Sequence, residues 1–146
     1  MRYGLVGSEM CIRDSNNPTI KDIARIVSKI RENKLPNPSL IGNSGSFFKN
    51  PIVSIELLNK LKQKFSKLVY FKESASKYKL SAAWLIENCN FKNIEEKNVG
   101  VYKNQALVIV NLGNATGKEI LLFSEKIKST VLEKFDILLE EEVNII

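Results

Sequence analysis

Gly42-Asn43-Ser44-Gly45-Ser46-Phe47-Phe48-Lys49-Asn50-Pro51 is the stretch on which the reading of this chain turns. It gathers two glycines, three small polar side chains and a lysine around Ser46, and adds two phenylalanines behind them. Gly42 and Gly45 admit backbone angles and close approaches that a β-carbon forbids. Ser46 carries a hydroxyl that gives or takes a proton, Lys49 is a cation, and Asn50 offers both a donor and an acceptor. Pro51 stiffens the exit. The same residues also suit an ordinary surface turn between a helix and a strand. Taken alone, the stretch leaves a catalytic loop and a plain turn both open.

Upstream, Thr19 and Asp22 read as a helix N-cap close to a capping box, and Ile20, Ile23, Ala24, Val27 and Ile30 fall on one helical face. Pro36 and Pro38 end that helix near Asn33. Residues 39–50 read as a glycine-bearing loop. Downstream come a short strand at Ile52-Val53, then a helix capped by Ser54 with Leu57, Leu58, Leu61 and Phe65 inward. Leu68–Phe71 reads as a strand and residues 72–78 as a polar connection. Ser81 caps a short helix over Ala82–Asn88. Val99–Tyr102 and Ala106–Val110 read as strands joined by a tight turn at Lys103-Asn104. Thr116 and Glu119 form a capping box. The helix it opens runs to about Lys134 with Ile120, Leu121, Ile127 and Val131 inward. Ile137–Leu139 and Val143–Ile146 read as strand-like closing segments. Helices and strands alternate irregularly, which predicts an α+β fold with helices packed on a small mixed or antiparallel sheet.

The chain has 146 residues, 44% of them hydrophobic and 26% charged, enough for one domain with its own core. No apolar run approaches the roughly 18 residues of a membrane span, and residues 1–15 lack the pattern of a signal peptide. A cytoplasmic protein is the expectation. Histidine is absent, which makes a zinc site improbable and removes any imidazole-based triad. Cys11 and Cys89 form no ligand or disulfide pattern. The net charge of +6 comes from lysines spread along the chain. No nucleic-acid motif accompanies them, and a diphosphate-bearing ligand suits them at least as well. There is no G-x-G-x-x-G after a strand and no P-loop.

Lys34-Leu35-Pro36-Asn37-Pro38 followed by residues 42–51 resembles the signature of the UDP-N-acetylenolpyruvoylglucosamine reductases, the flavoenzymes of bacterial cell-wall precursor synthesis. Lys79–Glu87, Asn104–Val108 with Asn111–Ala115, and Leu139-Glu140-Glu141-Glu142-Val143 agree with it in order. The resemblance covers about residues 17–146 and only the C-terminal part of the family's chain, so residues 16–146 are expected to be the substrate-binding portion of such a reductase. Residues 1–15 have no helix or strand period, resemble translated sequencing adapter, and are expected to be spurious or disordered. No further domain boundary is expected in 16–146.

The resemblance implies reduction of UDP-N-acetylglucosamine enolpyruvate to UDP-N-acetylmuramate, with NADPH as hydride donor and FAD held mainly by an N-terminal region. It implies that Ser46 protonates the substrate carbon and that Glu142 stabilises the enol-like intermediate or shares the proton. Glu141 stands where the family often has proline, and Asn144 where it often has arginine. In an extended segment Glu140 and Glu142 share one face while Glu141 points away. Lys34, Asn50, Lys79, Lys92 and Gln105 are the candidate substrate contacts. Gly45 is a candidate cofactor contact. Tyr70, Phe71 and Tyr78 lie where the family supplies an aromatic lid residue, and Trp84 suits the core. The competing expectation is a stand-alone UDP-sugar or nucleotide-binding module without redox chemistry. Neither expectation includes a metal, a nucleic acid or a membrane.

Overall fold

The computed structural model describes residues 19–146. The expectation for residues 1–15 lies outside the described residues. Four helices occur among those described: α1 (Ile20–Lys34), α2 (Ile55–Lys64), α3 (Ala82–Asn88) and α4 (Gly117–Phe135). The strands are β1 (Gly42–Ser46), β2 (Ile52–Ser54), β3 (Tyr70–Lys72), β4 (Lys77–Leu80), β5 (Glu95–Glu96), β6 (Val99–Val101) and β7 (Val108–Asn111). They form two sheets, β1-β7-β6-β5 and β2-β4-β3, with every pairing antiparallel. The fold is α+β, with two small sheets where one was expected.

Each helix begins where a side chain satisfies its first free N–H groups. The hydroxyls of Ser54 and Ser81 accept from Leu57 and Trp84. Thr19 with Asp22, and Thr116 with Glu119, form reciprocal capping boxes. The carboxyls of Asp22 and Glu119 are held below their usual range by the hydrogen bonds from the threonines. α1 ends at Leu35, immediately before Pro36. α4 ends at Asp136 in the left-handed region at φ 56.

The core gathers the inner faces of α2, α3 and α4 with both sheets. Leu80, Leu85, Ile86, Ile127 and Val131 are fully buried. Trp84 stacks edge-on or tilted against Phe65 and Phe135 and belongs to this core. α4 faces it with Phe123, Ser124, Ile127, Val131 and Phe135. Leu121, expected inward, is only half-buried.

Several elements differ from the expectations. Gly42–Ser46 is a strand, because Val108–Asn111 offers it a partner edge that local propensity does not anticipate. Lys77–Leu80, which starts inside the stretch expected to be a polar connection and runs two residues past it, is the central strand of the second sheet. Its lysines hid the pattern, since only one face of that sheet is covered. β3 begins at Tyr70, two residues later than expected. β6 and β7 are joined through residues 102–107, not by a two-residue turn. Glu95–Glu96 is an unforeseen edge strand. Residues 137–146 form no strand, but make one isolated bridge, Phe48 to Glu141. α1 buries none of its residues, and Ile20 is 87% exposed. Ile23 and Val27 on its apolar face are exposed as well, and Ile30 is only half-buried.

The closing segment alternates sharply. Leu139 is 1% exposed and Leu138 is 61% exposed. Leu139→Ala should therefore cost about 2–5 kcal/mol, and Leu138→Ala should stay within about 0.5 kcal/mol. Urea unfolding of the two variants checks this, and equal losses would contradict the alternation.

Candidate functional site

Ser46 ends β1, where the strand loses its regular register. Gly42 pairs with Asn111 and Asn43 with Val110, but Ser46 pairs with Val108. The irregularity sits at Ser44-Gly45, and Gly45 has φ +75. Nothing lies within 4 Å of a β-carbon built there, so glycine is needed for its dihedral angle, not for space. Gly42 is the reverse case, since a β-carbon would meet that of Asn111 at 3.3 Å. Asn43 shapes the bend from within. Its Oδ1 accepts from the Gly45 N–H at 3.1 Å and its Nδ2 donates to the Ile41 carbonyl at 2.9 Å.

Beyond the bend, residues 46–49 run between two partners. On one side the Phe47 N–H donates to the Leu107 carbonyl at 2.8 Å. On the other, the Glu142 N–H donates to the Phe47 carbonyl at 2.8 Å and the Lys49 N–H to the Glu140 carbonyl at 2.9 Å. Phe47 and Phe48 are both buried and anchor the segment in the core. Ser46 is half-buried, while Glu140 and Glu142 are exposed. Glu141 is half-buried and turned to α4, so the three glutamates divide between faces as an extended segment requires.

The other candidates fall into two groups. Gln105 lies in the turn leading into β7, with its Oε1 accepting from the Leu107 N–H at 3.5 Å. The neighbouring Asn104 donates to the Asn33 carbonyl at 3.0 Å, which brings the end of α1 and Lys34 to the same turn. Asn43 also donates to the Pro36 carbonyl at 3.4 Å. The segments that carry Lys34, Ser46, Gln105 and Glu142 are thus linked by backbone bonds and by the side-chain amides of Asn43 and Asn104. Asn50 follows directly, but its Oδ1 accepts from the Ala82 N–H at 2.9 Å and serves the start of α3.

Lys79 and Lys92 stand apart. Lys79 pairs with Glu73 at 2.9 Å on β4, and Lys92 with Glu87 at 3.0 Å beyond α3. Lys49 is drawn to Glu140 at 3.6 Å. Tyr78 is half-buried and packs edge-on to Tyr70, while Phe71 is exposed.

Sequence reasoning missed Lys128. It projects from α4 to Glu141 at 2.8 Å and to Glu125 at 3.0 Å. The hydrogen bond from Lys128 holds the Glu141 carboxyl below its usual range. The bond to Glu141 likewise raises the Lys128 ammonium. Only the three-residue spacing of Glu125 and Lys128 was visible in the sequence; the contact with Glu141 depends on α4 running back beside the closing segment. Cys89 is not a nucleophile candidate, because burial pushes its thiol up.

A shallow depression of about 330 Å³ is lined by Ile52, Val53, Ser54, Glu56, Ser76 and Lys77. It lies along β2 and not at Ser46. Among the described residues no group of His, Cys, Asp and Glu is arranged to hold a metal. No helix among them is long and apolar enough to cross a membrane.

Comparisons with known proteins show the family. The family model described as UDP-N-acetylenolpyruvoylglucosamine reductase, C-terminal domain, matches residues 37–146. The UDP-N-acetylenolpyruvoylglucosamine reductase of Flavobacterium johnsoniae is 45% identical over 144 residues, 99% of this chain and 43% of the relative. Its namesake in Pseudomonas fluorescens is 40% identical over 144 residues, 99% and 42% respectively. That of Chromobacterium violaceum is 40% identical over 140 residues, 96% and 41%. The chain spans less than half the length of these curated relatives. The Flavobacterium alignment takes in 99% of the chain and so reaches into residues 1–15.

The Lys128–Glu141 pair has a defined pH window. Glu141 is lowered in the fold, so its contribution is present above its ordinary value of 4.5 and is lost as pH falls through the folded value. Lys128 is raised, so its contribution is complete below 10.5 and is lost as pH rises through the folded value. Glu141→Gln should lose at most about 1 kcal/mol near neutrality, given residual solvent screening. Urea unfolding across pH should show that loss flat between those limits and shrinking outside both. A loss unchanged at acid pH would contradict the pairing.

Proposed function

As the chain belongs to the UDP-N-acetylenolpyruvoylglucosamine reductase family through its C-terminal domain, we propose that it supplies the substrate side of that reductase. The reaction is reduction of UDP-N-acetylglucosamine enolpyruvate to UDP-N-acetylmuramate in the cytoplasm, with FAD and NADPH. The observation that carries this reading is the hydrogen bond between the Glu142 N–H and the Phe47 carbonyl. It brings the two candidate proton-handling segments, at Ser46 and at Glu142, side by side across most of the described chain.

Ser46 protonates the enolpyruvyl carbon. A serine is a weak acid and needs help to give up its proton. Lys49 is turned to Glu140, so the help comes from Lys49 once it leaves that exposed pair, from backbone N–H groups of the turn, or from a water chain. Glu142, exposed on the same strap, stabilises the enol-like intermediate or shares the proton. Lys34 and Gln105 contact the substrate, the ammonium as a point charge for the diphosphate and the amide for sugar or uracil edges. Asn50 joins them with its amide nitrogen, since its oxygen serves Ala82. Lys79 and Lys92 reach a diphosphate only by leaving Glu73 and Glu87.

The residues described do not fit a flavin cradle. Gly45 is the one glycine at positive φ among them, and its N–H is already taken by Asn43. No flavin contact is assigned to this chain, and hydride supply is assigned to the portion of the reductase that it does not span.

The test belongs in a full-length reductase carrying these residues. Ser46→Ala should lower the rate of enolpyruvyl reduction about 10²–10⁴-fold, the usual worth of a general acid. Bleaching of the flavin by NADPH, which needs no proton at the substrate carbon, should change little. Stopped-flow absorbance separates the two. Equal slowing of both, or of neither, would show that Ser46 only positions the turn.

A further inference from the structure

Residues 137–143 alternate without a break. Ile137 and Leu139 are buried, Glu141 and Val143 are half-buried, and Leu138, Glu140 and Glu142 are exposed. Glu141 therefore occupies an inward position between Leu139 and Val143, where an apolar side chain is the ordinary occupant. The carboxylate is tolerated because Lys128 meets it at 2.8 Å. The two side chains are 17% and 21% exposed, against 36% or more for Lys79, Lys92 and their partners.

Pairing of this strap with residues 47–49 rests on a single bridge and its two flanking hydrogen bonds. Extended chains have a side-chain period of two, so a one-residue slip exchanges their faces. Here a slip would turn Glu142 inward and Glu141 outward. Glu140, Glu141 and Glu142 are chemically identical, so these positions alone do not say which carboxylate belongs inside. Leu139 and Val143 resist the slip from either side, and Lys128 discriminates at the point between them.

We propose that the Lys128–Glu141 ion pair is a register key: it selects Glu141 as the inward carboxylate and so presents Glu142 at the edge formed by residues 46 and 47. This rests on the reading of Glu142 as the acidic group of the site. Lys128 and Glu141 are then positioning residues. Fixing a unique arrangement is the best-attested use of an ion pair that contributes little net stability.

The first measurement is hydrogen exchange of the Glu142 amide in the 146-residue chain, read by NMR. Glu141→Lys sets like charges face to face, and the Glu142 amide should exchange about tenfold faster. Reversing the pair, Lys128→Glu with Glu141→Lys, should restore protection to within about threefold. Glu125→Gln is added to the reversed pair so that no second carboxylate opposes it. In a full-length reductase Glu141→Lys should lower kcat, leave KM for the UDP substrate within about twofold, and recover kcat in the reversed pair. Undiminished Glu142 protection in Glu141→Lys overturns the proposal, and so does a reversed pair no better than the single variant. Glu142→Gln separates the two readings, because it should cut kcat while its amide stays protected. If its kcat survives, the catalytic reading of Glu142 fails, and the exchange data still decide the register.

Discussion

The carbonyl of Phe47 accepts the amide of Glu142, and the amide of Lys49 donates to the carbonyl of Glu140. These two bonds join segments separated by most of the described chain. Each contributes only about 1 kcal/mol net, and closing so long a loop costs several times the entropy of a local contact. The bonds hold because apolar anchors flank them. Phe47 and Phe48 fix one segment in the core, and Ile137 and Leu139 fix the other. The polar edge of the molecule is thus set by the greasy side of the same two segments.

That arrangement explains why so few residues carry the site. A serine, a glutamate and an amide on three different segments come together only if the backbone rungs between them are in one register. The rungs run from Leu107 through Phe47 to Glu142. The bend at Gly45 and the Asx turn of Asn43 bring β1 onto the middle rung after its register with β7 has shifted. The Lys128–Glu141 contact acts on the outer rung from the opposite face. The candidate substrate contacts outside this frame, Lys79 and Lys92, have only exposed ion pairs to hold them.

The helices were legible because their signals are local. Thr116 and Glu119 sit three residues apart and bond each other's backbone, whatever the rest of the chain does. Ser54 and Ser81 work in the same way. The strands at Gly42–Ser46 and Lys77–Leu80 were not legible, since each exists through a partner far along the chain. Ser46, Gln105 and Glu142 became candidates through ordered motifs, not through any period. Lys128 escaped because its partner lies 13 residues away across a helix end. The apolar face of α1 predicted burial that no described element provides.

The central claim is that the edge around residues 46–49 takes a UDP-sugar. It is tested most directly by titrating the chain with UDP-N-acetylglucosamine and mapping amide shifts by NMR. The account predicts shifts that converge on Lys34, Ser46, Asn50 and Gln105 and are lost when excess uridine diphosphate competes. Shifts confined to the depression along Ile52–Ser54 and Ser76-Lys77, with Ser46 and Gln105 unmoved, would contradict it.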